Sequence, residues 1–363
     1  MAERTQGWRL PERERREIAE WFAGRARSVD RCQESAHEGL RLLAARGWLS
    51  RGVPAALGGD GGSLEEMAEV IATVAGSCLT SAFSLWCHRM FLEYVTASVS
   101  PFLTTQVLPQ ALRLERWGAT GLANAMKHIA SLEELRVSAE PREGGFVLSG
   151  RLPWVSNLVG DRFVVAVAAR CRDSILLLAV PGDSPGVSPG PRLPLFGLEG
   201  SASASLLLED VPLSEQWVIA RDGGAFLQRV RPAFLILQSA LAWGLAEAAL
   251  ASVFRNLSGP RAVLADRAWE LDDALARLVA ELRALARHGG EDKTYRALKV
   301  RKELAELAVQ AVWLELEAAG GAAYLSESDT ARRLREAAFF PVQSPSLVQL
   351  RTELARYEEA GVS

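Results

Sequence analysis

The hydrophobic pattern of this chain changes period twice, and this double change constrains the fold more than any other feature. Residues 1–118 carry apolar side chains at helical spacing, residues 119–222 contain short alternating runs, and residues 223–363 return to long helical segments. Helical spacing buries one stripe of a helix, whereas alternation buries one face of a strand. The sequence therefore predicts an N-terminal helical domain, a middle β-domain and a C-terminal helical bundle, which together make a multidomain α+β protein.

Short runs with turn residues between them fill the middle third. These runs occupy residues 135–140, 146–149, 162–169, 174–180 and 204–211. Residues 181–200 are rich in Pro and Gly and are predicted to form a loop. Many short strands joined by tight turns are typical of an antiparallel barrel or sandwich.

Helix-start signals divide the first third of the chain. Pro11 lies in the first turn of one predicted helix, residues 31–46 carry a second, and Pro101 opens a helix that is expected to run to about Trp117. Ser63–Glu66 has the pattern of a capping box. Each signal indicates a short or medium helix of the N-terminal domain.

A helix predicted over residues 80–97 carries an aromatic stripe. The stripe consists of Phe83, Trp86, Met90 and Tyr94. Such spacing favours a buried core position over a cofactor site. His88 falls on another side of this helix and is expected to be exposed.

Three long helices rich in Ala and Leu are predicted in the last third, over residues 232–256, 261–287 and 293–319. Shorter helices follow over 329–338 and 345–358. The length of the three long helices indicates an antiparallel bundle.

Charge and composition argue against several functional classes. The chain has 363 residues, a formal net charge of −3 and no long basic block, so nucleic-acid binding is not predicted. Apolar runs such as residues 234–242 are short of the roughly 20 residues of a membrane span. The first six residues lack an export signal, so a cytoplasmic location is expected.

The four cysteines and four histidines are scattered along the chain. The cysteines are Cys32, Cys78, Cys87 and Cys171. Their spacing predicts reduced, buried thiols and neither a disulfide framework nor a metal site.

The stretch 150–157 places a flat indole near a hydroxyl at the end of a predicted strand. Alternation sends Trp154 and Ser156 to the same face. An aromatic plate beside a hydrogen-bonding group suits a planar ring with polar edges, such as a flavin. A tryptophan in a strand is also typical of ordinary core, and both interpretations stay open at this point.

Four segments, in order along the chain, resemble motifs of the acyl-CoA dehydrogenase superfamily. Residues 52–59 resemble its Val-Pro-Glu-x-x-Gly-Gly loop, and residues 154–157 resemble its Trp-Ile-Thr/Ser-Asn run. Residues 208–212 resemble the strand that leaves its β-domain. Residues 320–324, together with 334–337, resemble its Gly-Gly-x-Gly-Tyr and Tyr-Arg-Asp-Ala segments. The resemblance covers nearly the whole chain.

The resemblance implies a fold, a cofactor and partners. The expected fold has an N-terminal α-domain, a middle β-barrel domain and a C-terminal four-helix bundle. FAD is expected in the cleft between the last two domains, reaching a neighbouring subunit of a homodimer or homotetramer. The implied substrate is an acyl thioester on CoA or on an acyl-carrier protein, and the implied redox partner is an electron-transfer protein or a flavin reductase.

The resemblance also assigns candidate site residues. The implied cofactor residues are Leu122, Ala123, Asn124, Trp154, Val155, Ser156, Arg255, Gly320, Gly321 and Ser346. Trp154 would flank the isoalloxazine ring, and Ser156 would bond near its N5 atom. Ser131 and Arg231 are the implied substrate residues, with a surface charge as the other interpretation of Arg231.

The usual catalytic base is missing from this sequence. The superfamily carries a glutamate ten residues after the aromatic of its Tyr-Arg-Asp-Ala segment, and that position is Ser344 here. Some members carry the glutamate on the first bundle helix instead, but residues 229–234 contain no carboxylate. A serine hydroxyl cannot by itself act as the base that takes an α-proton.

Three functions therefore stay open. The first is an atypical dehydrogenase of an acyl thioester, with Glu247 or Glu336 as a candidate acid. The second is a flavin-dependent monooxygenase, in which Ser156, His128 or His88 would lie near the reacting oxygen. The third is a redox-inactive binding or assembly protein.

Overall fold

The computed structural model describes residues 8–288, 293–359 and 361. Its N-terminal part is helical, as predicted. The helices are α1 (Glu12–Ala23), α2 (Ala26–Asp30), α3 (Glu38–Ala45), α4 (Leu64–Ser77), α5 (Leu79–Thr96) and α6 (Leu108–Leu112). Pro11 precedes α1, and the Ser63 side chain accepts a hydrogen bond from the Glu66 backbone N–H at the start of α4. The predicted absence of an export signal concerns residues outside the described range.

Two helix predictions in this part are wrong. Residues 31–46 do not form one helix, because the chain turns at Cys32, where φ is +56°, and separates α2 from α3. The helix that begins near Pro101 contains a π-helical turn, Leu103–Val107, and ends at Leu112. Trp117 begins a strand instead.

The middle part is a single eight-stranded sheet that is mixed and largely antiparallel. Its strands are β1 (Trp117–Thr120), β2 (Val137–Arg142), β3 (Gly145–Val155), β4 (Phe163–Cys171), β5 (Ser174–Pro181), β6 (Val187–Arg192), β7 (Ala204–Ser214) and β8 (Val218–Ala220). The strand order is β6-β7-β3-β2-β4-β5-β8, and β1 pairs with β4. The β1–β4 and β2–β4 pairs are parallel.

Two segments near the sheet differ from the sequence prediction. A helix, α7 (Ala123–Ile129), connects β1 to β2 where strand patterning was expected to begin. Residues 187–192 form β6 although 181–200 was predicted to be a loop. Strand β6 lies at the edge of the sheet, where prolines such as Pro189 and Pro191 are tolerated because one side needs no ladder hydrogen bonds.

The C-terminal part is a helical bundle around one long helix. The bundle contains α8 (Gly223–Asn256), α9 (Ala265–Arg287), α10 (Lys293–Ala319), α11 (Asp329–Ala337) and α12 (Leu347–Glu359). Helix α8 begins before the predicted start at Pro232, since the Asp222 side chain caps it by accepting from the Ala225 N–H. It packs against α4, α9 and α10.

Helix α8 is the one described helix that is long and apolar enough to cross a membrane. Within its most apolar window, 83% of the residues are buried inside the protein. Burial on this scale is the behaviour of a central core helix, around which the bundle is assembled.

Asn157 joins three parts of the chain directly after β3. Its side chain is fully buried and its φ is +65°. Its Oδ1 accepts from His37 Nε2 at 3.0 Å, and its Nδ2 donates to the carbonyls of Ser84 in α5 at 2.8 Å and Gly118 in β1 at 3.1 Å. These bonds hold the end of β3 in one position.

Two neutral histidines lie behind this junction. His88 is completely buried, so the expectation that it is exposed is wrong, and its Nδ1 accepts from the Gly118 N–H at 2.9 Å. Burial lowers the pKa of His37 to about 4 and that of His88 to about 3. Since the charged form is disfavoured, both rings stay neutral at pH 7.

Three of the four cysteines are buried free thiols, but Cys32 is exposed, contrary to the prediction. Burial raises the pKa of Cys78 to about 11. Cys78 is therefore protonated and unreactive at neutral pH.

Acid should destabilise the fold through these histidines. An unfolded histidine binds a proton below about pH 6.5, whereas folded His37 stays neutral down to about pH 4, so the free energy of unfolding falls as pH falls through this window. We expect a loss of a few kcal/mol between pH 7 and pH 4.5. Urea unfolding at a series of pH values measures this loss.

The variant His37→Gln should show a shallower pH slope, and His288→Gln, which replaces an exposed histidine, should keep the wild-type slope. Equal slopes in the wild type and in His37→Gln would show that the buried ring is not the source of acid sensitivity.

Candidate functional site

A cavity of about 420 Å³ lies where the sheet, α5, α8 and the segment after α11 meet. This volume falls within the range of small-molecule sites. The sheet side contributes Trp154, Val155, Ser156, Ser201 and Ser203. Helices α5 and α8 contribute Phe83, Trp86, Cys87, Phe234 and Gln238. The segment after α11 contributes Ala338, Phe339, Val342, Gln343 and Ser344.

The sheet wall combines one large indole with a row of hydroxyls. Trp154 is 59% exposed although it is a large apolar side chain. Ser156 Oγ lies 2.7 Å from Ser203 Oγ, which in turn lies 2.8 Å from Ser201 Oγ. Trp154 and Ser156 thus face the same cavity, as alternation predicted. Ser201 and Ser203 come from a distant loop and carry no local signal that could have identified them.

The opposite wall is aromatic. Phe83 stacks on Trp86 with ring centroids 5.7 Å apart, and Trp86 meets Phe234 edge to face at 5.0 Å. Phe83 also meets Phe339 edge to face at 4.9 Å. The aromatic stripe of α5 was predicted to be core throughout. Phe83 and Trp86 instead line the cavity, whereas Met90 and Tyr94 are buried core. This wall excludes water from one side of the cavity.

The floor of the cavity is polar and rests on a buried arginine of α10. Ser344 Oγ donates to the Ala123 carbonyl at 3.4 Å, and its own carbonyl accepts from Gln238 Nε2 at 3.0 Å. Arg301 donates from Nε to Gln238 Oε1 at 2.7 Å and from a terminal nitrogen to Gln343 Oε1 at 2.9 Å. Complete burial lowers the pKa of Arg301 to about 9, which leaves it charged at pH 7.

No carboxylate belongs to the part of the cavity lining that the structure describes. The charged lining residues are two cations, and each has an acidic partner: Lys127 pairs with Glu133 at 2.6 Å, and Arg335 pairs with Asp30. The cavity therefore offers hydroxyls, amides and aromatic rings but no acid that could accept a proton at neutral pH.

Neither candidate acid lies at the cavity. Glu336 is fully buried, where it pairs with Arg332 at 2.8 Å and accepts from the Leu79 N–H at 3.0 Å. Burial raises the pKa of this carboxyl group. Glu247 pairs with Arg15 at 2.9 Å on the outside of α8. Both are structural charges.

The structure brings four of the ten predicted cofactor residues to the cavity. Ala123, Trp154, Val155, Ser156 and the position of the missing base, Ser344, line it. Their proximity could be predicted only in part, since Ala123 and Ser344 lie far from β3 along the sequence.

Other predicted residues lie elsewhere. Leu122 is buried core, and Asn124 accepts from the Arg136 N–H at 3.0 Å and so closes the connection after α7. Ser131 is exposed at a turn where its φ is +56°, outside the cavity. His128 Nδ1 bonds to the Glu133 carbonyl at 2.9 Å and does not line the cavity.

The remaining candidates lie on the bundle. Arg255 is exposed near the end of α8, and Gly320 and Gly321 lie at the surface after α10. Ser346 accepts from the Gln349 N–H at 3.2 Å at the start of α12. Arg231 is only 4% exposed and forms a buried ion pair with Glu353. The structure therefore gives Arg231 a packing role away from the cavity, and it is not a surface charge.

Comparison with known proteins agrees with this architecture, although no family model matches the chain. The chain is 26% identical over 348 residues to the probable acyl-CoA dehydrogenase YngJ of Bacillus subtilis, covering 87% of this chain and 88% of that protein. It is 22% identical over 241 residues to the benzylmalonyl-CoA dehydrogenase of Aromatoleum aromaticum, covering 65% of this chain and 64% of that relative.

Solved structures have the same fold. Butyryl-CoA dehydrogenase from Megasphaera elsdenii superposes with a TM-score of 0.84 at 17% identity, covering 97% of this chain and all (100%) of that one. PigA with FAD and proline superposes with a TM-score of 0.82 at 18% identity, covering 98% of this chain and 100% of that one.

The fold is that of a protein in which an N-terminal helical part, a sheet and a helical bundle surround a cavity. The sequence relatives and the solved neighbours are members of the acyl-CoA dehydrogenase superfamily, and this chain has that superfamily's fold. The resemblance and fold class predicted from the sequence are confirmed.

The buried pair of Arg231 and Glu353 should contribute to the stability of the fold and not to ligand binding in the cavity. Removing one partner of a buried pair leaves an uncompensated charge, so Arg231→Met should lower the free energy of unfolding by about 3–5 kcal/mol. Urea unfolding measures this change. Arg229→Met is the matched control, since Arg229 is exposed on the same helix and should cost under about 1 kcal/mol.

The double variant Arg231→Met, Glu353→Met should recover much of the lost stability, because no lone charge is left buried. Wild-type stability in Arg231→Met alone would contradict this structural assignment.

Proposed function

We propose that this protein is an FAD-dependent oxidoreductase of the acyl-CoA dehydrogenase type that acts on an acyl thioester. The observation that carries the proposal is the cavity between sheet and bundle, with the exposed indole of Trp154 beside the Ser156 hydroxyl. Bound FAD supplies a ring that accepts electrons from a substrate. The cleft position and the superfamily fold support this assignment.

The residues of the cavity fit a flat ring with polar edges. Trp154 would cover one face of the ring, and the Ser156 hydroxyl would bond to its edge. Two buried donors on lining residues, Trp86 Nε1 and Gln343 Nε2, have no partner in the described chain. Because an unsatisfied buried donor is costly, these atoms point to a ligand with acceptor oxygens or nitrogens. The aromatic wall keeps water away from that ligand.

The carrier of the acyl group is CoA or an acyl-carrier protein. One sequence relative is named for a CoA thioester, benzylmalonyl-CoA, which supports the thioester class. An electron-transfer protein or a flavin reductase would exchange electrons with the flavin. These assignments, like a cytoplasmic location, are part of the proposal.

The carboxylate-free lining favours a second candidate function, a flavin-dependent monooxygenase. Dehydrogenation of an acyl thioester needs a base within reach of the α-proton, and neither the Ser344 hydroxyl nor the nearby amides can take that proton at neutral pH. Oxygenation by reduced flavin and oxygen needs no such base from the chain.

A homodimer would use the end of the bundle near Gly320 and Gly321. Exposed apolar side chains lie in or beside the 3-10 turns that precede α9 and follow α10, and on these two helices: Val263, Trp269, Trp313, Tyr324 and Leu325. The turns Gly259–Leu264 and Gly320–Tyr324 both contact α10. An exposed apolar patch of this kind is typical of a protein interface.

A spectrum and an anaerobic titration separate the candidate functions. We expect the purified protein to carry FAD. Bleaching of the flavin by acyl-CoAs without oxygen would establish the dehydrogenase. No bleaching, together with an oxygenated product from reduced flavin and oxygen, would establish the monooxygenase. A protein that binds no FAD would refute both and leave a redox-inactive role.

Restoring a carboxylate at position 344 tests the missing base directly. If the protein binds acyl thioesters, Ser344→Glu should accelerate anaerobic flavin bleaching by about 10²-fold or more, the usual contribution of a general base. Stopped-flow absorbance measures the rate. Ser344→Gln, which has a similar shape but cannot accept the proton, should show no gain. Equal rates in Ser344→Glu and Ser344→Gln would show that this position does not face the reacting carbon.

Charge placed in the apolar patch should break the dimer. Leu325→Arg combined with Tyr324→Arg should give monomers by sedimentation equilibrium, because the two cations would be desolvated at the interface. Val348→Arg, at an exposed valine of α12, should leave the dimer intact. If the double variant still forms dimers, the interface does not lie at this patch.

A further inference from the structure

Arg301 is a buried cation with no acidic partner among the described residues. Its side chain is completely buried at the middle of the bundle, and its contacts are the two glutamine oxygens and the ring of Phe340, whose centroid lies 5.9 Å from the guanidinium carbon. One terminal nitrogen, Nη1, has no hydrogen-bond partner. A buried charge without a counter-ion is costly, so its retention calls for an explanation.

Arg301 fixes the direction of two amides that line the cavity. Arginine has only donors, so it holds the oxygen atoms of Gln238 and Gln343 toward itself and turns both NH₂ groups away. The NH₂ of Gln238 bonds to the Ser344 carbonyl. The NH₂ of Gln343, a residue of the cavity lining, is buried and has no partner. The floor therefore contains an oriented amide donor without a partner, and the positive charge of Arg301 is bonded to the oxygen of the same amide.

The rest of the cavity leaves this charge uncompensated. Both cations of the lining, Lys127 and Arg335, are paired with acids, and no carboxylate lines the described cavity. The indole Nε1 of Trp86, on the wall beside the floor, is a second buried donor without a partner. A neutral acceptor would satisfy these donors, but only an anion would also compensate the charge of Arg301.

We propose that the floor is an anion subsite that binds a carboxylate carried by the substrate itself. Gln343 donates to the carboxylate, and Arg301 is the positioning residue that orients the amide and supplies the positive potential. The subsite rests on the proposed function and sharpens it: the substrate class is an acyl thioester that bears a carboxylate. Substrates with a plain hydrocarbon end leave the Gln343 donor and the buried charge unsatisfied.

Ligand discrimination by the FAD-loaded protein tests this subsite. The probes are hexanoate and hexanamide, which have the same chain and differ in charge. Binding is measured by calorimetry and by the change in the flavin spectrum. Wild-type protein should bind hexanoate about tenfold more tightly than hexanamide, the ratio expected when a charged hydrogen bond replaces a neutral one.

Variants at two positions, Gln343 and Arg301, identify the residues responsible. Gln343→Glu places an anion against Arg301, so the variant should fold and the new carboxylate should pair with the arginine. The ratio of hexanoate affinity to hexanamide affinity should then fall to one or below. Gln228→Glu adds the same charge at an exposed position of α8 and should keep the wild-type ratio. Arg301→Lys should retain part of the preference, whereas Arg301→Met should lose it.

The outcomes separate the subsite from the proposed function. FAD binding together with equal affinity for both probes would overturn the subsite and leave the oxidoreductase standing. An unchanged hexanoate preference in Gln343→Glu would also overturn it, since the anion would then bind elsewhere. Absence of FAD from the wild-type protein would overturn the proposed function itself.

Discussion

The buried side chain of Asn157 is the contact on which the arrangement of this protein depends. Its three hydrogen bonds join the start of α3, the middle of α5 and strand β1 to the end of β3. Because the amide is fully buried, each of these bonds would be costly to lose. The cavity wall formed by Trp154 and Ser156 lies immediately before it, so the same junction that joins helical domain to sheet also positions the candidate site.

The sheet wall and the floor of the cavity offer different chemical groups. The sheet wall offers an indole and hydroxyls that suit a ring, while the floor offers oriented amides backed by the charge of Arg301. Neither surface contains a carboxylate among the described residues. The proposed flavin site rests on the sheet wall, and the proposed anion subsite rests on the floor.

Features that depend on the local spacing of residues could be predicted from the sequence. The change of period predicted the order of domains, and alternation placed Trp154 and Ser156 on one wall. Burial of His88 was missed because α5 is enclosed on nearly all sides, which removes the exposed face that a helical pattern assumes. The group of Gln238, Arg301 and Gln343 was also missed, since its members come from three distant segments and each looks like an ordinary polar residue of a helix or loop. Contacts of this kind depend on how the domains pack.

The central claim is that this cavity holds FAD and that the chain brings no carboxylate to it. A crystal structure of the protein grown with FAD tests that claim most directly. The account predicts density for the isoalloxazine ring against Trp154 and Ser156, with the Gln343 amide and the Ser344 hydroxyl on the far side of the cavity. Density for the ring at another place, or an aspartate or glutamate of the chain entering the cavity beside it, would contradict the account.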